Sequence, residues 1–181
     1  MRKACGITLI TWLGAATLPA ATLGDVTLPD SAQLGDQTLV LNGLGLRSKM
    51  GFKVYVGGLY LAQKSSDAVA IVNADAPKRI VMHFVREVDG QRLKDTFLDG
   101  FDDNAKLTLK PQIDQFASAL ETLKVGEEMA ITYSPGAGTA IGVKGKDKVT
   151  IPGLPFAQAV FGIWLGAKPP SGDLKKGLLG L

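Results

Sequence analysis

The chain has 181 residues, with 20 Lys+Arg against 17 Asp+Glu, one histidine and one cysteine. Its net charge of +3 falls to +1 once Arg2 and Lys3 are set aside, because 18 basic residues then face 17 acidic ones. A charge this small, with no basic stripe carrying interleaved aromatics, excludes the usual nucleic-acid footprint. Cys5 is the lone cysteine, so the rest of the chain has no disulfide framework, thiolate nucleophile or cysteine metal site.

The first element reads as an export signal over residues 1–21. Arg2 and Lys3 make a basic start, "ACGITLITWLGAATL" an apolar core, and "PAAT" a small-residue cleavage site near Ala20 or Ala21. The apolar run is short for a membrane span, which needs about 20 residues, and no later stretch reaches that length. No stable membrane anchor is therefore expected after cleavage, and Cys5 has no small-residue lipobox before it. Residues 22–181 are enough for a single domain with its own core. They show no Pro/Ser-rich linker and no internal repeat.

Residues 25–37 mix turn formers with isolated apolar residues and read as an extended lead-in. "TLVLNG" is a short strand ending in an Asn-Gly turn signal. "FKVYVGGLYLA" is a strand that Gly57-Gly58 interrupts, with a bulge or a close backbone approach expected there. "SSDAVAIVNA" is a short helix with Ser65 or Ser66 as cap. In "KRIVMHFVRE" both faces are largely apolar, which predicts a central strand covered on both sides. The period then changes. Leu93, Phe97 and Phe101 lie four apart on a helix opened by Asp89. A second helix carries Ile113, Phe116, Leu120 and Leu123, with Pro111 near its start and Gly126 after its end. "EMAITYSPGAGTAIGVKGKDKVTIPG" returns to period two as hairpin-linked strands. "LPFAQAVFGIWLG" is a third long helix with Pro155 in its first turn. Pro169-Pro170 breaks the chain before a final short helix, "SGDLKKGLL". Strands, helices, strands, helices predict an α+β fold with an antiparallel sheet on a helical layer.

Few residues point to chemistry. His83 sits mid-strand with no Ser/Asp or metal-ligand partners at useful spacing, which favours a hydrogen-bonded strand histidine. The cluster Asp99, Asp102, Asp103 and Asn104 lacks the ligand order of a calcium loop and reads as a solvated helix end. "GAGTAIG" precedes a strand instead of opening a helix after one, so it is a hairpin turn and not a dinucleotide loop. No metal or cofactor is expected. The polar residues that stand out lie in "LNGLGLRSKMGFKVYVGGLYL": Arg47, Tyr55 and Tyr60. A buried arginine keeps its charge and needs a partner, and tyrosine hydroxyls cannot neutralise it. Two donors without a carboxylate close in sequence favour a visiting anion, a carboxylate held by the arginine fork being the simplest. The other reading, in which Arg47 pairs with a distant acid or lies in water at a strand end, stays open.

"LNGLGLRSKMGFKVYVGGLYLA" together with "FGIWLGAKPPSGDLKKGLLG" resembles the bacterial chalcone isomerase-like proteins, over roughly Leu39 to Leu181. The resemblance implies an open-faced β-sandwich, a large antiparallel sheet backed by a layer of helices. It also implies, with the export signal, a periplasmic location. In the plant isomerases of this family an arginine and a threonine, with a tyrosine and an asparagine from the helical segment, hold a chalcone during ring closure. Arg47 matches the arginine. The threonine position is Tyr55, and the helical pair falls near Leu93 and Gly100, so three of four polar positions differ. The fatty-acid-binding members resemble this chain at the key pair, with arginine kept and tyrosine at the threonine position. There the pair grips a fatty-acid carboxylate while the acyl chain runs into an apolar cleft. Phe97, Phe101 and Trp164 are the expected lining of such a cleft, or plain core.

Three functions follow as expectations. The first is a periplasmic, non-enzymatic binder of a fatty acid or similar small apolar carboxylate, with Arg47 and Tyr55 as head-group donors and Tyr60 as a third candidate. The second is an intramolecular lyase or isomerase acting on a chalcone-like enone, with Arg47 stabilising oxyanion charge. The third is an interaction module with a vestigial cleft, which a well-filled core beside Arg47 would favour.

Overall fold

The structure is a computed structural model and describes residues 20–181. Of the expected signal segment 1–21, all but Ala20 and Ala21 lies outside the described residues. A short hairpin comes first, β1 (Ala20–Leu23) and β2 (Val26–Pro29). A seven-stranded antiparallel sheet follows, with its strands adjacent in chain order: β3 (Ser31–Leu34), β4 (Gln37–Lys49), β5 (Phe52–Leu61), β6 (Lys78–Phe84), β7 (Glu128–Ser134), β8 (Gly138–Val143) and β9 (Lys146–Ile151). Helix α1 (Ala68–Asn73) connects β5 to β6. Helices α2 (Gly90–Gly100), α3 (Asp103–Thr108) and α4 (Lys110–Ser118) connect β6 to β7. Helices α5 (Leu154–Leu165) and α6 (Gly172–Leu178) close the chain. This is the expected α+β arrangement, a large antiparallel sheet packed against helices.

Strand alternation divides the sheet into two apolar faces. Leu59, Ile80, Met82, Phe84, Ile131 and Ile141 face the helices and meet Phe97, Phe116, Val160 and Trp164 in the main core. On the other face Val26 and Leu28 of the β1–β2 hairpin cover Leu39, Leu41, Val56, Tyr60 and Val81 in a second, smaller core. Strand β6 is the middle strand and contributes buried residues to both, as its two apolar faces require.

Helix ends follow local chemistry. The Asp89 carboxylate accepts from the N–H groups of Gln91 and Arg92 at the start of α2. Asp102 does the same for Ala105 at the start of α3, a helix the periodicity does not reveal. Asp67, and not Ser65 or Ser66, caps α1 by accepting from Ala70. The helix expected to run to Gly126 stops at Ser118. Leu120 and Leu123 reach the core from the connection that follows, where Leu123 bridges to Val88.

The Asn42-Gly43 pair of β4 departs from expectation, and Gly57-Gly58 of β5 meets one of the two expected alternatives. Asn42-Gly43 is no turn: β4 runs through it with a register shift. The Asn42 amide instead donates to the carbonyls of Ser65 and Leu178 and accepts from the Ser65 N–H, tying three segments together. The chain turns at Met50 and Gly51, both with positive φ. Gly57-Gly58 carries no bulge, and β5 is continuous across it. Its glycines serve close approach. A Cβ on Gly58 would lie 2.7 Å from Leu28, and one on Gly45, opposite Gly57, 2.4 Å from the Leu174 carbonyl of α6.

Candidate functional site

Across the β4–β5 pair, Gly43 stands opposite Leu59, Gly45 opposite Gly57, and Arg47 opposite Tyr55. Directly paired residues share a face, so these six line the helix-facing side. Helix α6 rests on the glycine part of this row, and Leu174 and Leu178 are fully buried against it. The row regains polar side chains only past the glycines, at Arg47 and Tyr55. A register shift follows at Arg47/Ser48.

Tyr55 is 8% exposed and packs on Phe84 with ring centroids 5.5 Å apart. Its hydroxyl oxygen accepts from the indole Nε1–H of Trp164 at 2.9 Å. Burial pushes the phenol up to about 12, against the pull of the Trp164 hydrogen bond and the positive charge of Arg47. Arg47 is half-buried. One of its terminal nitrogens donates to the neighbouring Ser48 carbonyl. Among the described residues it forms no ion pair with a carboxylate, unlike Lys110 with Asp114 or Lys144 with Glu127.

The structure brings Arg47 and Tyr55 together and puts Tyr60 elsewhere. Five positions separate the two tyrosines on a regular strand, so they project from opposite faces. Tyr60 lies beneath the β1–β2 hairpin, 2% exposed, and its hydroxyl donates to the Pro29 carbonyl at 2.9 Å. Tyr60 and Tyr55 therefore cannot grip one head group. His83 stands opposite Glu128 in the β6–β7 register, and its Nδ1 is 3.0 Å from that carboxylate. That is a strand histidine with a hydrogen-bond partner.

The helical side of the site is apolar. Leu93 is buried, and a Cβ on Gly100 would meet Ile163 at 3.0 Å. Phe97 lies edge-on to Phe116 (5.0 Å) and to Trp164 (5.7 Å), and Phe101 lies edge-on to Phe116 (5.8 Å). Cavities of about 570 Å³, beside Gln115, Glu121 and Lys148, and about 460 Å³, beside Asp30, Asn42 and Lys64, are lined by neither Arg47 nor Tyr55. Beside Tyr55 the space between sheet and helices is occupied by this aromatic cluster.

Two residues escape the reading from sequence. Trp164 stands there as cleft lining or plain core, yet a buried indole N–H needs an acceptor, and that need points to a polar neighbour. Lys78 is 1% exposed on the helix-facing side of β6. Its ammonium donates to the carbonyls of Ile71 (2.8 Å), Val72 (3.3 Å) and Ala74 (2.6 Å), closing the end of α1. It lies 5.4 Å from the ring of Tyr133, whose hydroxyl donates to Asp75 at 2.6 Å. Burial lowers the Lys78 ammonium to about 8, with Asp75 pulling the other way. The signal was its parity: Lys78 falls in step with Ile80, Met82 and Phe84.

A family model described as chalcone isomerase-like matches residues 20–180. None of the curated proteins matches the chain. Among solved structures, the fold is similar to that of a fatty-acid-binding protein of Arabidopsis thaliana, with a TM-score of 0.73 and 16% identity over 89% of this chain and 96% of that one.

Proposed function

The chain belongs to the chalcone isomerase-like family, and from that premise we propose that it binds a fatty acid or similar apolar carboxylate without transforming it. The observation that carries this reading is the Arg47–Tyr55 pair. A half-buried guanidinium with no carboxylate partner among the described residues stands opposite a buried phenol that accepts one hydrogen bond. Arginine offers a planar fork of donors that matches a carboxylate, and the phenol adds one more. The fatty-acid-binding protein of Arabidopsis thaliana supports the same reading through its fold. Ring-closing isomerase chemistry draws no support from Leu93 and Gly100, which offer no side-chain proton donor to a substrate. We further propose that residues 1–21 direct export to the periplasm and are removed there.

The test is mass spectrometry of what co-purifies with the protein, run beside Arg47→Ala and Tyr60→Phe. A fatty acid held by the wild type and by Tyr60→Phe, and lost from Arg47→Ala, is the expected result. One observation favours a second reading, a partner-binding module: the aromatic cluster beside Tyr55 is closely packed. A wild-type protein that is empty and takes up no added fatty acid would select that reading.

A further inference from the structure

A tyrosine hydroxyl has one proton to give and an oxygen that accepts, whereas an indole N–H can only give. The Trp164–Tyr55 hydrogen bond therefore has a fixed direction, with Trp164 donating and the Tyr55 oxygen accepting. Tyr55 must send its own proton elsewhere. Among the described residues no acceptor takes it, although the side chain is almost wholly buried. A buried hydroxyl proton without an acceptor is costly, and the charge beside it is the guanidinium of Arg47, another donor. The indole itself has little freedom. Trp164 is 1% exposed on α5 and its ring is held edge-on by Phe97.

We propose that Trp164 is a positioning residue for this site: by occupying the acceptor side of Tyr55 it commits the Tyr55 proton, together with Arg47, to an acceptor ligand. The consequence is selectivity. The pair binds an ionised acid more tightly than the alcohol of the same chain length. An alcohol can accept from Tyr55 but brings no charge to Arg47, and an amine brings the wrong charge. This inference rests on the carboxylate-binding reading, and its test separates the two.

The experiment is a double-mutant cycle with laurate and 1-dodecanol as probes, measured by calorimetric titration on the wild type, Trp164→Phe, Tyr55→Phe and the double variant. Trp164→Phe keeps an aromatic ring and removes the N–H. It should weaken laurate about 5- to 20-fold in the wild-type background, the loss of a typical to strong hydrogen bond, and less than about twofold where Tyr55 is already phenylalanine. Dodecanol, which can accept from Tyr55 but brings no charge to the pair, should lose less than laurate at each step of the cycle. Equal losses for laurate in both backgrounds, or equal losses for acid and alcohol, would reduce Trp164 to packing and overturn the proposal. Should a variant fail to fold, the wild type still decides. Laurate should move the Trp164 indole proton resonance downfield, because a hydroxyl that donates to an anion becomes a better acceptor. No shift on saturation overturns the positioning role. If laurate binds and needs Arg47 but the cycle is additive, only the Trp164 role falls. If laurate does not bind at all, the carboxylate reading falls with it.

Discussion

The close seat of α6 on β4 makes Gly43 the most sensitive small residue on the helix-facing side. A Cβ built there lies 2.2 Å from the Gly177 carbonyl oxygen, 2.8 Å from the Gly180 nitrogen and 3.0 Å from the Leu178 carbonyl oxygen. All three are backbone atoms, so no side chain can swing aside. Gly43→Ala has to push α6 outward by about 1 Å, a gap that forfeits up to about half of each dispersion contact along the seam. Leu174 and Leu178, both fully buried, lose packing, and the Asn42 bond to the Leu178 carbonyl at 2.8 Å is stretched. Overpacking of this kind costs about 1 to 3 kcal/mol, and with the added hydrogen bond we expect about 3. Gly162→Ala is the counter-experiment. It lies inside α5, its Cβ would meet nothing within 4 Å, and alanine should stabilise the helix by about 1 kcal/mol. Urea unfolding followed by far-ultraviolet circular dichroism measures both. In heat the first variant should melt about 6 to 12 °C lower, at about 2 to 4 °C per kcal/mol for a chain of this size. A Gly43→Ala midpoint at or above that of the wild type would refute the backbone-contact account of the seam.

Three further outcomes follow from particular groups. Burial holds Lys78 at about 8 against 10.5 for the free side chain, so between those values the unfolded chain binds the extra proton and stability rises with pH, by roughly 2 kcal/mol from pH 8 to 9.5. Above pH 10 the sign reverses, because Tyr55, Tyr60 and Tyr133, all held up to about 12, keep protons in the folded chain that the unfolded chain releases. Urea midpoints from pH 7.5 to 9.5 should climb for the wild type and stay level for Lys78→Met; a level wild-type curve would contradict this. Asp67→Ala removes the acceptor for the Ala70 N–H at the start of α1 and should cost about 1 kcal/mol, with unchanged stability in denaturant as the result against it. Tyr133→Phe removes the hydroxyl bonded to Asp75 and should lower stability by about 1 kcal/mol, and a neutral effect in the same assay would show that bond to be worth nothing.

The layers of this fold were legible because they are written in period and punctuation. Alternation in "KRIVMHFVRE" placed a two-faced central strand, and Asp89 marked a helix start that the structure confirms. Part of what stayed hidden depends on contacts distant in sequence. Asn42-Gly43 has the composition of a turn, and only the arrival of α6 some 135 residues later, with Leu178 as the Asn42 acceptor (136 positions apart), explains why the strand runs through it. Gly57-Gly58 has the composition of a bulge or of a close approach; the structure shows the second, and only the fold names the neighbours, Leu28 of the other hairpin and Leu178 of the last helix. Period carries the layers, whereas the Asp67 cap, helix α3 and the end of α4 at Ser118 are local features that period does not show, and Gly43 answers to remote backbone.

Strand parity and register sort Arg47, Tyr55 and Tyr60. With no bulge at Gly57-Gly58, parity alone sends Tyr55 and Tyr60 to opposite faces, and the only way to reunite them would be the interruption that the structure lacks. Arg47 lies on the far side of a turn, where parity gives no guidance, and the observed register puts it opposite Tyr55. Glycines at 43 and 45 admit the α6 backbone, and Gly57 meets the Leu174 and Leu178 side chains, so that α6 fills the helix-facing side of this hairpin. Polar side chains on that face of the hairpin are thereby confined to the β4–β5 turn end, where Phe52 and Met50 are exposed and Arg86 stacks on Phe52 at 4.4 Å. A carboxylate held by Arg47 and Tyr55 would sit at that end. Its tail would lie across the rings of Trp164 and Phe97 only if those rings repack, so affinity should depend on the softness of the aromatic cluster as much as on the strength of the head-group donors.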